Sequence, residues 1–468
     1  MKYLPILSFF LTSLYGYSTD LKVSDPLFYF ENDEAFAIVT VQWNNAWKNK
    51  RNHDAAWIFG KYLRGINGYV HATITKDGTR VVESNTRLQI EVPSDGTGFF
   101  IYPSSDYRGN IRATVRFSMD TKAFDRMNPF SVGLKVFGIE MVYIPEGPVT
   151  LGDNHESQMT DGAFYLSDAS GKKKGNFKIT KEDQVVEIGP NNGQLYYQAK
   201  NQYQGDQKGT VGTKFPKGVR AFYIMKYEPT QGQYAEFLNT LSEGQSHHRI
   251  IFGGKEYYLR RGTISNENEV YVAGSPSRPY NFAGWEDGIA FADWAGLRPM
   301  TEFEFTKACR GSNDPRSMEY PWGTDAKENV LRIVDENGDL TMRNGWKEEK
   351  LSEETRTAFG ASYLWVMDLA GSMWERVVSV GDSVGRAYDG THGDGNISDY
   401  GFADAPTWPR GFPHGEGFGF RGGAYYQESR AYNMINPYSP IANRSYGGWP
   451  GGNRKEAYGQ RFVRTAGM

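Results

Sequence analysis

Apolar and polar positions alternate with period two from about Leu21 to Val136. Between Ala35 and Trp43 one face carries Ala37, Val39, Val41 and Trp43. Val70, Ala72 and Ile74 alternate with His71, Thr73 and Thr75, and Asp77-Gly78 predicts a turn after them. Leu88, Ile90 and Val92 repeat the pattern, as do Ile111, Ala113, Val115 and Phe117. Short alternating runs with turn signals between them predict an Ig-like β-sandwich over residues 19–136. Nothing in this stretch clusters like a catalytic site, and His53 and His71 are expected on strand faces or the surface rather than as metal ligands.

A second region, 137–468, follows a different pattern and contains a polar, Gly- and Lys-rich insertion over about 154–217. Thr230 to Gln233 is a capping box before Tyr234, Phe237, Leu238 and Leu241, which share one helical face. A helix is expected from about Trp285 to Ala295, with Gly296 as its stop. Thr301 to Glu304 is another capping box, opening a helix with Phe305, Ala308 and Cys309 inward and Gly311 as its stop. Beyond Gly311 the chain is rich in Gly, Trp, Tyr and Asn, which predicts loops shaped by turns and packed by aromatics. The whole is therefore α+β, a β-sandwich followed by a loop-rich domain.

Residues 1–18 stand apart. Lys2, the apolar run Leu4 to Leu14 and the small residues around Gly16 to Ser18 read as a secretory signal. That run is too short for a membrane span, and no later stretch approaches ~20 apolar residues. With no cysteine near the cleavage site a lipid anchor on cysteine is excluded, so the chain is expected to be exported to the periplasm, the cell surface or the medium. A net charge of −3 gives no electrostatic case for nucleic acid. A single cysteine in 468 residues excludes an internal disulfide, a cysteine-rich zinc site and a dithiol redox pair.

Several segments occur in an order that resembles the formylglycine-generating enzyme (sulfatase-modifying factor) family. Met141-Val-Tyr-Ile-Pro-Glu-Gly147 and Phe222-Tyr-Ile-Met-Lys-Tyr-Glu-Pro-Thr230 come first. Gly284 to Gly296, Leu297 to Phe305 and Tyr320-Pro-Trp-Gly323 follow. Asp368-Leu-Ala-Gly-Ser-Met-Trp-Glu375, Phe420-Arg-Gly-Gly423 and Gly459 to Arg464 close the series. The resemblance implies a C-type-lectin-like fold for 137–468 and does not reach the N-terminal part. Active members convert a substrate cysteine to formylglycine with two copper-binding cysteines, which by spacing fall here on Gln427 and Tyr432, and the family's serine falls on Ala424. Copper(I) needs soft thiolate ligands, which an amide and a phenol do not replace, so no copper cofactor is expected. Cys309 is expected as a small buried hydrophobe.

Calcium is the cofactor this pattern leaves open. The family often binds it near a segment matching Gly371 to Glu375, but Ser372 here replaces an asparagine and leaves Glu375 as the carboxylate. A second calcium candidate is the glycine-rich loop with Asp389, Asp394, Asn396 and Asp399, which also carries His392. Asp335 to Asp339 resembles the start of a calcium loop but lacks the later ligands and is expected to be a turn. Late aromatics and polar residues, namely Trp408, Arg421, Tyr425, Tyr426, Asn443, Arg444 and Trp449, are candidates for a groove that takes peptide or sugar. The expectation is an exported, catalytically inactive relative that binds or scaffolds a protein or glycan of the cell envelope. The resemblance adds secretion and motility machines of Bacteroidetes as a setting. The alternative is a metal-dependent oxidoreductase with an altered site.

Overall fold

The computed structural model describes residues 20–64, 68–120, 132–155, 160–249, 257, 261–335, 339–343, 345, 352–411, 415–425, 435–451 and 454–467. The expected signal segment therefore lies outside the described residues. Strands dominate, with few and short helices, and among the described residues no helix is long and apolar enough to cross a membrane.

The N-terminal strands are β1 (Lys22–Val23), β2 (Leu27–Glu31), β3 (Glu34–Lys48), β4 (Asp54–Leu63), β5 (Tyr69–Ala72), β6 (Ile74–Ser84), β7 (Leu88–Glu91), β8 (Phe99–Pro103) and β9 (Tyr107–Met119). A first sheet runs β1-β3-β9-β6, with β2 also paired to β3. Asn32 and Asp33 both take left-handed backbone angles in the two-residue turn joining β2 to β3, the geometry a tight hairpin demands. Alternation puts Ala37, Val39, Val41 and Trp43 of β3 against Val115 and Phe117 of β9 in one core. The turn expected at Asp77-Gly78 is a bulge inside β6. Thr75 and Arg80 both pair with β9, so the intervening residues loop out without reversing the chain.

The strand β10 (Lys135–Ile144) joins the two halves of the chain. It pairs with β4 from Lys135↔Lys61 to Val142↔Asp54 and with strand Phe222–Met225 on its other side. The resulting eight-stranded sheet runs Arg298–Pro299, Phe462–Thr465, Phe222–Met225, β10, β4, β8 and β7, with β5 hydrogen-bonded to β4. The boundary expected at 136/137 thus falls inside a strand. Strand β4 is buried on both faces, which is why its sequence shows no alternation. Ala56 and Ile58 face the first core, whereas Ala55, Trp57 and Phe59 face a second.

That second core receives helix α1 (Gln231–Leu238) and helix Trp285–Trp294. Trp57 donates its indole N–H to Ala295 O at 2.9 Å, and the rings of Phe59 and Trp294 meet edge-on at 5.0 Å. The polar insertion is also folded. It forms a five-stranded sheet of Lys173–Gly175, Tyr165–Ser167, Leu195–Tyr196, Val186–Ile188 and Gly209–Val211, whose few apolar residues reach the same core.

A fragment covering 137–468 alone lacks every partner of β10 on the β4 side and takes Ala55, Trp57, Phe59 and Phe100 out of the second core. We expect it to show no cooperative thermal transition by circular dichroism while the full chain melts cooperatively; a fragment that melts cooperatively near the full-chain temperature contradicts the shared sheet.

Candidate functional site

Helix Glu302–Arg310 organises the late region. Thr301 Oγ1 accepts the Glu304 N–H at 3.1 Å, and Glu304 returns the contact by accepting the Thr301 N–H at 3.0 Å. The cap leaves Glu302, on the first turn, pointing inward and fully buried. Its carboxylate accepts from Arg444 Nε at 2.6 Å and Nη2 at 3.1 Å, from Arg421 Nη1 at 3.3 Å and from the Val380 N–H at 2.9 Å. Arg421 ends strand Phe418–Arg421 and also donates to Ile441 O. Burial pulls its guanidinium down to about 10, against the attraction of Glu302. Arg444 reaches Gly162 O at 3.2 Å and lies over the rings of Phe164 and Tyr197, binding the insertion to the late loops.

Beside this triad lies the segment where the family's chemistry would sit. Gly422 and Gly423 both have positive φ, and a Cβ at either would come within 2.6 Å of Leu369 O or 2.5 Å of Asn436 Oδ1, so the chain passes here only as glycine. Ala424 is fully buried, and its carbonyl accepts from Asn436 Nδ2 at 2.6 Å. The Tyr425 N–H donates to Ser372 O at 3.0 Å, and its ring lies 4.3 Å from the Arg261 guanidinium. Tyr426, Gln427 and Tyr432 lie outside the described residues.

The groove residues named from sequence are mostly interior. Trp408, Arg421, Tyr425, Asn443 and Arg444 are buried, and Trp449 is half-buried. A loop-rich region has few ladders to satisfy its carbonyls, so its arginines and indoles turn inward to do so, as when Trp408 donates to Thr391 O at 2.8 Å.

Ser372 and Glu375 are likewise engaged. Ser372 donates to Glu228 Oε2 at 2.5 Å, and Glu375 Oε1 accepts from Arg461 Nε at 2.8 Å. Arg461, fully buried, also donates to the carbonyls of Met225 and Lys226. Burial, reinforced by Glu375, pushes the Glu228 carboxyl well above its ordinary range.

The four residues of the 389–399 loop do not converge. Asp389 accepts from Thr391 and Thr407, Asn396 Oδ1 accepts the His71 N–H at 3.0 Å, and Asp399 shares with Asn396 the lining of a polar cleft away from Asp389. Asp394 instead meets Asp293 and Asp404, whose carboxylate oxygens with its own lie within 4.8 Å of one another. Asp293, on the last turn of its helix, was invisible as part of this cluster because its partners lie about a hundred residues on. Its fully buried carboxylate accepts the N–H groups of Asp394 at 3.2 Å and Asp404 at 2.9 Å and so staples the loop to the helix. Burial pushes Asp293 up to about 7. Asp335 and Asp339, expected at a turn, lie between the paired strands Arg332–Val334 and Leu340–Met342, and the Asp339 N–H donates to Asp335 Oδ1 at 2.8 Å.

The histidines differ from expectation in one respect. His53 is buried, stacked between Tyr102 at 4.3 Å and Tyr143 at 5.0 Å, and burial pulls it down to about 4. Cys309 is fully buried among Met300, Phe305 and Leu364, and burial pushes its thiol far up.

A family profile described as the sulfatase-modifying factor enzyme 1-like domain matches residues 138–466. Curated relatives named formylglycine-generating enzyme include one from Thermomonospora curvata, 28% identical over 105 residues, which are 22% of this chain and 34% of that protein. Another, from Bos taurus, is 22% identical over 186 residues, 34% of this chain and 48% of that protein. The chain thus spans about a third to a half of the relatives' length.

Two outcomes follow from the buried charges. Glu302→Gln leaves two guanidiniums without their anion and is expected to cost about 3–5 kcal/mol in chemical denaturation; a loss within experimental scatter contradicts the central role given to Glu302. For Asp293, a native pKa near 7 against an ordinary 3.8 means that the folded state binds more protons between those values, so its contribution falls as pH rises through them. The stability difference between the wild type and Asp293→Asn should therefore move against the wild type from about pH 4 to about pH 7. A difference that is flat with pH removes that assignment.

Proposed function

The chain belongs to the sulfatase-modifying factor enzyme 1-like family over residues 138–466, and from that premise we propose that it is an exported, catalytically silent member that works as a binding or scaffolding module. The observation that carries this is the missing thiol pair: the positions matching the copper-binding cysteines hold Gln427 and Tyr432, and the serine position holds Ala424. Cys309 offers no substitute, because its thiol sits in a dry core with its proton held by burial. Copper chemistry has no donor set here.

Calcium is not part of this proposal either. A divalent ion at Glu375 would meet the Arg461 guanidinium already bound to that carboxylate, and Ser372 has given its hydroxyl to Glu228. Arg461 holds the place of a cation. A C-type-lectin-like arrangement of 137–468 and a sandwich acting as spacer or adhesion element complete the picture, supported by the packed double-sheet core and by the family match. The envelope setting rests on the signal-like residues 1–18.

The direct test incubates the full chain with copper, oxygen and a cysteine-containing sulfatase peptide and weighs the peptide by mass spectrometry. No mass change at cysteine is expected; copper-dependent formylglycine would defeat the silent-member proposal. In parallel, the thermal midpoint is expected to be the same in calcium and in chelator, and a rise with calcium would restore the ion to the site.

A further inference from the structure

The two halves of the chain meet a second time beside the shared sheet, through loops and strand ends rather than a ladder. The N-terminal half brings Lys61 of β4, His71 of β5 and residues 95–97. The other half brings Gly296, residues 392–396 and Arg464 of strand Phe462–Thr465. Arg464 spans the contact: it donates to Asp95 Oδ2 and to Gly296 O and lies 4.8 Å from the Trp57 ring. Lys61 donates to Gly395 O, and the His71 N–H to Asn396 Oδ1.

Two histidines sit in this contact, and each fits in one protonation state. The Thr465 N–H donates to His392 Nε2 at 3.0 Å, so that nitrogen is bare and the neutral ring carries its proton on Nδ1. His71 Nε2 faces Thr97 O at 2.6 Å and can only donate to it, which leaves Nδ1 as the bare nitrogen. That Nδ1 is shielded from solvent, has no hydrogen-bond partner among the described residues, and is crossed so closely by the backbone at Gly395 that a Cβ there would collide with it. A proton added to His392 sets one N–H against another. A proton added to His71 makes a buried donor without an acceptor.

The charges facing the two rings oppose either step. Burial pulls both imidazoles well below the ordinary 6.5; Lys61 and Arg464 press further on His71, against the Thr97 bond, and Arg464 and Arg298 on His392. The nearby carboxylates are engaged elsewhere. Asp95 is held by Arg464, Glu304 by Arg298, and Asp389 by Thr391 and Thr407. Glu91 accepts from Tyr223 and the Gly467 N–H, while Asp293 and Asp394, with Asp404 beside them, act on Lys61.

We propose that His71 and His392 form an acid-sensitive clasp, which holds strand Phe462–Thr465 and residues 392–396 on the N-terminal half at neutral pH and lets go on mild acidification. A released ring takes a proton more readily than a held one, so each hold weakens about tenfold per pH unit below 6.5 until the held ring itself titrates. Asp293 acts in the opposite sense, because its raised value favours the folded state as the pH falls. The clasp does not depend on whether the chain is catalytically silent.

Hydrogen exchange of the full chain, corrected for the intrinsic pH dependence of exchange, reads the hold at strand Phe462–Thr465 and at β5. In His392→Gln and His71→Gln the side-chain amide can accept or donate at the same place and does not titrate. The protection of the wild type relative to each variant is expected to fall about tenfold between about pH 7.5 and about pH 5.5. Asp293 is common to both proteins and cancels in that ratio. A ratio that stays flat with pH overturns the clasp. Nitrogen-15 NMR of the wild type gives a second reading that needs no folded variant. Both rings are expected to stay neutral down to about pH 5.5, with the proton on Nδ1 of His392 and on Nε2 of His71. Loss of the neutral form above that pH, or the opposite tautomer in either ring, overturns it as well.

Discussion

Glu302 sits at zero exposure with two guanidiniums and a backbone N–H on its carboxylate, and through them it ties together four separate parts of the chain. Arg421 brings in the Phe418–Arg421 strand and the carbonyl of Ile441. Arg444 brings in Gly162 and the folded insertion, and Val380 brings in the end of strand Trp374–Val378. A domain with few helices and short strands leaves many buried carbonyls without a ladder partner, and water is excluded from them. Buried arginines fill that need repeatedly. Arg461 serves Met225 and Lys226, Arg376 serves Ala283 and Gly451, and Arg310 serves Thr150 and Gly152. Each such cation is tolerable in the interior only beside a carboxylate or an aromatic face, which explains the pairing of Arg310 with Glu319, Arg332 with Asp368 and Arg461 with Glu375.

This arrangement separates holding the fold from doing the family's chemistry. None of the ion pairs just named needs a thiolate or a metal, and the double glycine at 422 and 423 answers to positive φ and to the closeness of Leu369 O and the Asn436 side chain. The reacting side chains can therefore be lost while the frame persists. The N-terminal part takes a share in that frame through β10, whose pairing with β4 makes the two halves one sheet and lets Trp57 and Phe59 pack directly on the Trp285–Trp294 helix.

Local signals were legible in the sequence, and long-range ones were not. The capping boxes at Thr230 and Thr301 and the stops at Gly296 and Gly311 mark the helices because capping is a contact between residues three apart. Strands β3 and β9 show through alternation, whereas β4 does not, being buried on both faces. The insertion reads as polar because its apolar residues are sparse, yet Phe164, Phe177, Ile179, Val186, Ile188, Leu195 and Val211 reach a core. Glu302 reads only as a favourable first-turn acid, since Arg421 and Arg444 lie more than a hundred residues away. The same blindness put Arg421, Arg444 and Tyr425 on a groove: an aromatic- and arginine-rich loop has the composition of a binding surface and also that of an interior without secondary structure. The proposed loss of the cysteine pair, by contrast, concerns residue identity and is read from the sequence resemblance alone.

The claim that this fold has kept its frame and lost its reactive centre is tested most directly by the copper(I) affinity of the reduced full chain, measured by competition with a chromogenic chelator. With an amide and a phenol at the two ligand positions and Cys309 sealed in a core, the chain should take no stoichiometric copper from the chelator. One copper(I) bound per chain, with the fold intact, would contradict the account.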